Sequence, residues 1–129
     1  MASGLGASSG TVFRGRRIVT TLRAGDVVTG FFAASQTDKA RPAVVVSSDL
    51  YRAHRPDVVI GFLTTQVAGA NAPTDYALQD WKSAGLTQPS AFRAFFVTVR
   101  KSDVTKIGHL STSDWSEVQT RLKLALATS

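Results

Sequence analysis

A length of 129 residues and a hydrophobic content of 43% are typical of one soluble globular domain that folds without disulfides or metals. The absence of cysteine excludes a disulfide framework, a cysteine-ligated zinc site and a thiol nucleophile, and two histidines offer little for a metal site, so no metal and no cofactor are expected. The formal net charge is +6, but residues 1–24 carry four arginines and no acid, which leaves a net charge of +2 for residues 25–129.

Residues 1–24 are rich in Gly, Ser and Ala and show no hydrophobic period. This composition predicts a flexible basic leader over 1–24, followed by a folded domain over 25–129. The leader lacks the apolar core of a signal peptide, and no apolar run in the chain approaches the roughly 18 residues of a membrane-spanning helix. We therefore expect a cytoplasmic protein with no membrane association.

Apolar and β-branched runs predict five or six short strands, five of them over residues 25–34, 42–48, 57–65, 74–78 and 91–100. The run over 42–48 is almost continuously apolar, which is typical of a central strand buried on both faces. Pro42 cannot donate a ladder hydrogen bond and is expected at the first position of that strand, and Gly30 indicates a bulge or a close backbone approach. Between the strands, residues 79–86 are interpreted as one helical turn ended by Gly85, and 102–110 as a turn.

The C-terminal residues predict the clearest helix. Ser111 with Asp114 three residues later resembles a capping box, and Glu117 with Arg121 is a favourable i,i+4 pair. One face is apolar at helical spacing: Trp115, Val118, Leu122, Ala125 and Leu126. The expected fold is mainly β with helices (α+β), a small, strongly bent antiparallel sheet or half-barrel with a C-terminal amphipathic helix.

Two features of the predicted hairpin "KARPAVVVSSDLYRAHRPDVVIGFLTTQ" carry potential chemistry. Arg41 stands where a polar loop enters the buried strand, and its planar guanidinium matches two phosphate oxygens. Thr64 and Thr65 end the next strand and point to opposite faces. The alternatives are a surface arginine at a strand entry and threonines present as strand formers.

Basic residues crowd the same stretch: Lys39, Arg41, Arg52 and Arg55, with His54, lie within 17 residues. Because the two loops that carry them lie at opposite ends of strand 42–48, they are not automatically one patch. Tyr51 offers a ring for base stacking or for core packing. No carboxylate pair has metal-binding or glycosidase spacing, and no glycine-rich phosphate loop is present.

The segments "GDVV", "ARPAVVVSSDLY", "FLTTQ", "DWKSAGLTQPSAFRAFFVTV" and "DVTKIGHLSTSDWSEVQTRL" occur in this order over about residues 25–126. This ordered set resembles the MazF/PemK family of toxin endoribonucleases from type II toxin–antitoxin systems. The resemblance implies an SH3-like barrel, a two-fold homodimer, metal-independent cleavage of single-stranded RNA such as mRNA, and an acidic cognate antitoxin.

The resemblance also implies roles for individual residues. Arg41 and Thr64 match the catalytic arginine and threonine, and Thr65 is the less favoured threonine. The expected substrate contacts are Gln36, Lys39, Tyr51, His54, Thr65 and Gln66. The loop "AASQTDKA" departs from the family, whose loop often carries a Gly-Ser-Glu-Gln element, and Gln36 is interpreted as a partial substitute.

The chemistry implied is attack of the ribose 2′-hydroxyl on the adjacent phosphorus, which yields a 2′,3′-cyclic phosphate and a 5′-hydroxyl. Arg41 would stabilise the charge on the phosphoryl oxygens, and Thr64 would fix the geometry of the phosphate and the 2′-hydroxyl. Arginine and threonine side chains do not ordinarily exchange protons at neutral pH, so His54 is a candidate for proton transfer. The alternative function is that of a CcdB-like toxin that binds DNA gyrase, or of a catalytically inactive binding relative. The RNA motif, the general acid or base and the antitoxin's identity do not follow from the sequence.

Overall fold

The computed structural model describes residues 21–32 and 39–127, and within them the chain forms one antiparallel sheet and two α-helices. The strands are β1 (Asp26–Gly30), β2 (Arg41–Val45), β3 (Asp57–Thr64), β4 (Tyr76–Ala77), β5 (Ala91–Arg100) and β6 (Thr105–His109), and the helices are α1 (Asp49–Ala53) and α2 (Thr112–Ala125). The strand order is β4-β5-β3-β2-β1-β6. A curled sheet followed by a C-terminal helix confirms the predicted fold class.

Alternating side chains of the strands feed two hydrophobic cores, one on each face of the sheet. The helix-side core consists of Val27, Val44, Leu63, Leu78, Ala84, Leu86, Phe92, Leu110 and Val118. The inner core consists of Leu22, Val28, Phe32, Ala43, Val45, Val58, Ile60 and Phe62. Strand β2 supplies both cores, which confirms that it is central and buried on both faces.

Helix α2 packs on the helix-side core through its first three turns. Val118 is buried, and Trp115 and Leu122 pack beside it. The predicted apolar face is too long, because Ala125 and Leu126 are exposed where the helix runs past the sheet. The predicted pair of Glu117 and Arg121 is confirmed, with 2.7 Å between Oε1 and Nη1. These contacts fix the helix by its N-terminal two-thirds.

The capping box at the start of α2 is only half formed. The Ser111 hydroxyl accepts a hydrogen bond from the Asp114 backbone N–H at 3.1 Å, as predicted. The Asp114 carboxylate is fully buried and turns inward instead of back to Ser111. It accepts hydrogen bonds from the Tyr76 hydroxyl at 2.7 Å, the Gln79 N–H at 3.0 Å and the Asp80 N–H at 2.8 Å. One carboxylate thus fastens β4 and the loop after it to α2.

The Tyr76–Asp114 hydrogen bond predicts a loss of stability at alkaline pH. Burial, followed by the hydrogen bond to Asp114, raises the pKa of Tyr76 above its ordinary value. A raised folded-state pKa contributes stability that is intact below about pH 10 and is lost as the pH rises further. The free energy of unfolding, measured with urea from about pH 9 to 11, should therefore fall more steeply for the wild type than for Tyr76→Phe. Equal slopes would contradict this coupling.

The region before α2 is the main correction to the predicted elements. Residues 105–109, interpreted as part of a turn, form β6 and pair with β1. Gly108 weakens the strand pattern in the sequence, yet it is needed, because a Cβ there would lie 2.0 Å from the Ala84 carbonyl oxygen. The predicted helical turn over 79–86 is a non-helical turn in which Gly85 adopts a φ of 91°.

Smaller corrections concern β1 and β2. Gly30 makes the predicted close approach, since a Cβ would lie 2.9 Å from the Asp103 carbonyl oxygen, but the bulge falls between Val27 and Val28. Strand β1 ends at Gly30, well before the predicted residue 34. Pro42 occupies the second position of β2, not the first. Each correction moves an element boundary and leaves the order of the elements intact.

Candidate functional site

The candidate site lies at the end of the sheet where β2 begins and β3 ends. The register of these strands pairs Ala43 with Phe62 and Val44 with Gly61. The same antiparallel register, continued by two residues, sets Arg41 opposite Thr64. On their other sides the two residues face Gly30 of β1 and Ala91 of β5. The backbones of both residues are therefore fixed within the middle of the sheet.

The packing of neighbouring side chains shows which face the pair shares. Ala43 lies two residues from Arg41, Phe62 lies two residues from Thr64, and both belong to the inner core. Side chains two apart on a strand point to the same face. Arg41 and Thr64 are therefore on one face, at the rim of the inner core, where both are partly exposed.

The two functional groups differ in how they are held. Within residues 21–32 and 39–127, no carboxylate pairs with the Arg41 guanidinium, so its charge is available to an anionic ligand. The Thr64 hydroxyl accepts a hydrogen bond from the Gln66 N–H at 3.1 Å. This bond fixes the hydroxyl oxygen and leaves its proton for another acceptor.

The remaining predicted contacts at this end of the sheet surround the pair. Thr65 and Gln66 are exposed and follow Thr64 directly. Lys39 is exposed and lies two residues before Arg41. Gln36 lies outside the described residues. The structure thus brings Lys39, Thr65 and Gln66 to the same sheet end as Arg41 and Thr64.

Tyr51 and His54 lie elsewhere. Helix α1 connects the end of β2 to the start of β3, so both residues sit at the opposite end of these strands from Arg41 and Thr64. The His54 ring nitrogen Nδ1 contacts the Leu50 carbonyl oxygen at 3.1 Å, and the Arg55 guanidinium lies 5.4 Å from the centre of the Tyr51 ring. Five strand residues span about 16 Å. The structure does not bring Tyr51 or His54 to the Arg41–Thr64 pair within one chain.

The second histidine is also far from the pair. His109 pairs with Asp26 across β1 and β6, at the opposite end of β1 from Gly30, which faces Arg41. Its Nδ1 lies 2.7 Å from Oδ1 of the fully buried Asp26, which also contacts Lys106 at 3.3 Å. His109 therefore supports the joint between β1 and β6.

A row of three phenylalanines on the same face was not recognised from the sequence. Phe62 lies between Phe32, with ring centres 5.4 Å apart, and Phe95, at 5.1 Å. Phe95 is 51% exposed. In the sequence it is hidden inside the apolar run "AFRAFFVTVR", where nothing distinguishes an outward-facing ring from core rings.

Two features are absent from the described part of the chain. Among the described residues, no three His, Cys, Asp or Glu side chains are grouped so as to hold a metal ion. In that same part of the chain, no helix combines the length and apolarity needed to cross a bilayer. Arg41 and Thr64 offer a fixed positive charge and a hydroxyl, a combination suited to binding a phosphodiester.

Comparison with known proteins places the chain. Residues 23–126 match the family described as PemK-like, MazF-like toxins of type II toxin–antitoxin systems. The match covers most of the chain, so the protein belongs to this toxin family, which confirms the resemblance seen in the sequence. A search of curated proteins found no match.

Solved structures share the fold. An endoribonuclease from a mycobacterial species, in complex with its cognate antitoxin, aligns with 84% of this chain and 98% of its own at 21% identity and a TM-score of 0.68. The Mycobacterium tuberculosis toxin MazF-mt6 aligns with 81% of this chain and 98% of its own, at 23% identity and a TM-score of 0.63. A chain of MazE–MazF from Deinococcus radiodurans aligns with 84% of this chain and 97% of its own, at 16% identity and a TM-score of 0.64. At these identities the likeness establishes the fold alone.

Proposed function

We propose that this toxin is a metal-independent, sequence-selective endoribonuclease that cleaves single-stranded RNA, including mRNA. The observation that carries the proposal is the shared face and register of Arg41 and Thr64 at one rim of the sheet. Family membership and the endoribonuclease activity named for two structural relatives support it. The gyrase-binding alternative gives this pair no chemical task.

The proposed mechanism uses the reactivity already present in RNA. The 2′-hydroxyl oxygen attacks the adjacent phosphorus and gives up its proton to water, the bond from phosphorus to the 5′-oxygen breaks, and the departing oxygen takes up a proton from water. Arg41 stabilises the charge that develops on the phosphoryl oxygens, and the Thr64 hydroxyl donates a hydrogen bond to the same ribose–phosphate link and holds it in line. His54 has no part in this step within one chain, because it lies at the other end of the sheet.

The proposed function also involves an antitoxin, a second copy of the chain and the cytoplasm. Two structural relatives are complexes with an antitoxin, and an acidic, initially disordered segment that covers the Arg41 rim would neutralise this toxin by charge and by exclusion of RNA. A homodimer is the commonest closed assembly, and sedimentation at micromolar concentration should show two copies. The site of action is the cytoplasm, where mRNA is found.

Incubation of the purified protein with a long RNA in EDTA tests the proposed function. We expect a few discrete fragments whose ends are 2′,3′-cyclic phosphate and 5′-hydroxyl, identified by mass spectrometry, because the ribose supplies the nucleophile. An RNA with 2′-deoxyribose at the cleaved position should stay intact. Cleavage that requires added metal, or fragments with 5′-phosphate ends, would contradict the mechanism. Intact RNA together with gyrase-dependent DNA breaks would replace it with the alternative.

A further inference from the structure

Phe95 is an exposed aromatic ring with a fixed orientation. More than half of it faces solvent, at 51% exposure, although it belongs to the long strand β5. Its ring packs against Phe62 at an interplanar angle of 41°, and Phe62 in turn meets Phe32 edge-on at 72°. Because Phe62 and Phe32 are buried, they anchor Phe95 while one of its faces remains uncovered.

The pairing of β5 with β3 is irregular at this ring. Gly61 pairs with Phe96 and Leu63 pairs with Phe92, so one residue of β3 between these pairs faces three residues of β5. Bulges of this kind bend a strand and redirect its side chains, and they are common next to active sites. Beyond the short strand β4, which pairs with Ala91 and Phe92, no strand among the described residues pairs with the outer edge of β5.

The exposed ring lies on the same face of the sheet as the Arg41–Thr64 pair and is linked to it through Phe62. Phe95 contacts Phe62, and Phe62 is two residues from Thr64 on the same face, a separation of about 7 Å along the strand. Phe62 also belongs to the inner core, at whose rim Arg41 lies. A ligand whose phosphate bridged Arg41 and Thr64 would therefore extend over or next to Phe95.

The charge around Phe95 suits a polyanion. Strand β5 has no acidic residue, and Arg93, two residues from Phe95 and therefore on the same face, is exposed. Arg93 is half-exposed, and its nearest carboxylate in the described part of the chain is Asp75, at 4.0 Å. A cationic strand with an exposed aromatic ring combines the two contacts by which proteins bind single-stranded nucleic acid: charge for the backbone and a flat surface for a base.

We propose that Phe95 is a stacking platform for a nucleobase of single-stranded RNA, next to the phosphate held by Arg41 and Thr64. This inference rests on the proposed function for its location and names a contact on which substrate affinity depends. Since every base has a π-face, the platform sets the position and strength of binding and leaves base identity to other contacts.

Binding of a non-cleavable RNA tests the platform separately from cleavage. The probe is a fluorescein-labelled ten-nucleotide RNA in which every 2′-hydroxyl is methylated, titrated with protein in EDTA. Phe95→Ala should weaken binding about 5- to 150-fold, the range for loss of one stacked base. Phe95→Leu should weaken it nearly as much, because leucine keeps apolar surface but has no π-face, whereas Phe95→Trp should bind at least as tightly as the wild type.

The control variant is Leu50→Ala, which removes an apolar side chain of 72% exposure on α1 at the other end of the sheet; its binding should be unchanged. Wild-type affinity in Phe95→Leu or in folded Phe95→Ala would overturn the proposal. Loss of dimerisation in Phe95→Ala would also overturn it and would assign the ring to a protein interface. Wild-type protein that binds RNA through Phe95 but cleaves none would remove the proposed function and leave the platform standing.

Discussion

Replacement of Arg41 with alanine is expected to lower the rate of RNA cleavage about 10²- to 10³-fold, the loss typical when one preorganised donor to a developing oxyanion is removed. The guanidinium has no carboxylate partner among the described residues, so its removal leaves no unpaired acid there and should not impair folding. Single-turnover cleavage of a labelled RNA at saturating protein measures the effect on chemistry apart from binding.

Two further variants make the result specific. Arg41→Lys keeps the charge but loses the two-pronged contact, and it should remain well below the wild-type rate. Arg55→Ala removes an arginine at the far end of the sheet, where hydrogen bonding to Asp57, at 3.2 Å, lowers the pKa of Asp57. Cleavage by Arg55→Ala should stay near the wild-type rate. Equal losses in Arg41→Ala and Arg55→Ala would show that only general positive charge matters.

Replacement of Asp114 with alanine is expected to destabilise the fold by about 3 to 5 kcal/mol, because three donors lose their buried acceptor. These donors are the Tyr76 hydroxyl and the N–H groups of Gln79 and Asp80. The Asp114 carboxylate joins three segments of the fold: β4, the loop after it and α2. Because the substitution disconnects all three, the whole domain should unfold at a lower denaturant concentration. Urea titration followed by far-UV circular dichroism measures the change.

Asp80→Ala is the matched control for Asp114→Ala. Asp80 lies in the same network, but it contributes its backbone N–H, while its own side chain is exposed. The substitution keeps that hydrogen bond and should change stability by no more than about 0.5 kcal/mol. Asp114→Asn should fall between the two, since an amide oxygen can replace only one carboxylate oxygen. A midpoint of Asp114→Ala equal to that of the wild type would contradict the role of this carboxylate.

The elements that could be predicted are those whose signal is local. The burial of β2 on both faces, the capping serine of α2 and the Glu117–Arg121 pair depend on neighbouring residues, and each is confirmed, although β2 covers Arg41–Val45 instead of the predicted 42–48. Strand β6 was not predicted, because its Gly108 weakens the strand pattern. A glycine is required there by the close approach of the Ala84 carbonyl oxygen, which is distant in the sequence. The inward turn of Asp114 likewise depends on a tyrosine 38 residues away. Long-range partners of this kind leave no pattern in a short window of sequence.

The residues of the candidate site also differ in whether the sequence around them predicts their position. Arg41 and Thr64 stand at strand boundaries and were singled out by the resemblance to the MazF/PemK family, and the register that sets them opposite each other follows once β2 and β3 pair. The separation of Tyr51 and His54 from that pair depends on which end of the strands α1 connects. The exposure of Phe95 depends on which elements pack over β5, and the apolar sequence does not reveal that.

A double-mutant cycle on Arg41 and Thr64 tests the central claim most directly, namely that the two residues act on one ribose–phosphate link. Single-turnover rates are compared for the wild type, Arg41→Ala, Thr64→Ala and the double variant, with Thr65→Ala in place of Thr64→Ala as the matched control. Residues that hold one reacting group are not additive. The double variant should therefore be much less impaired than the product of the two single losses, and Thr65→Ala should cost little. Losses that multiply as independent effects, or an equal loss in Thr65→Ala, would contradict a shared phosphate.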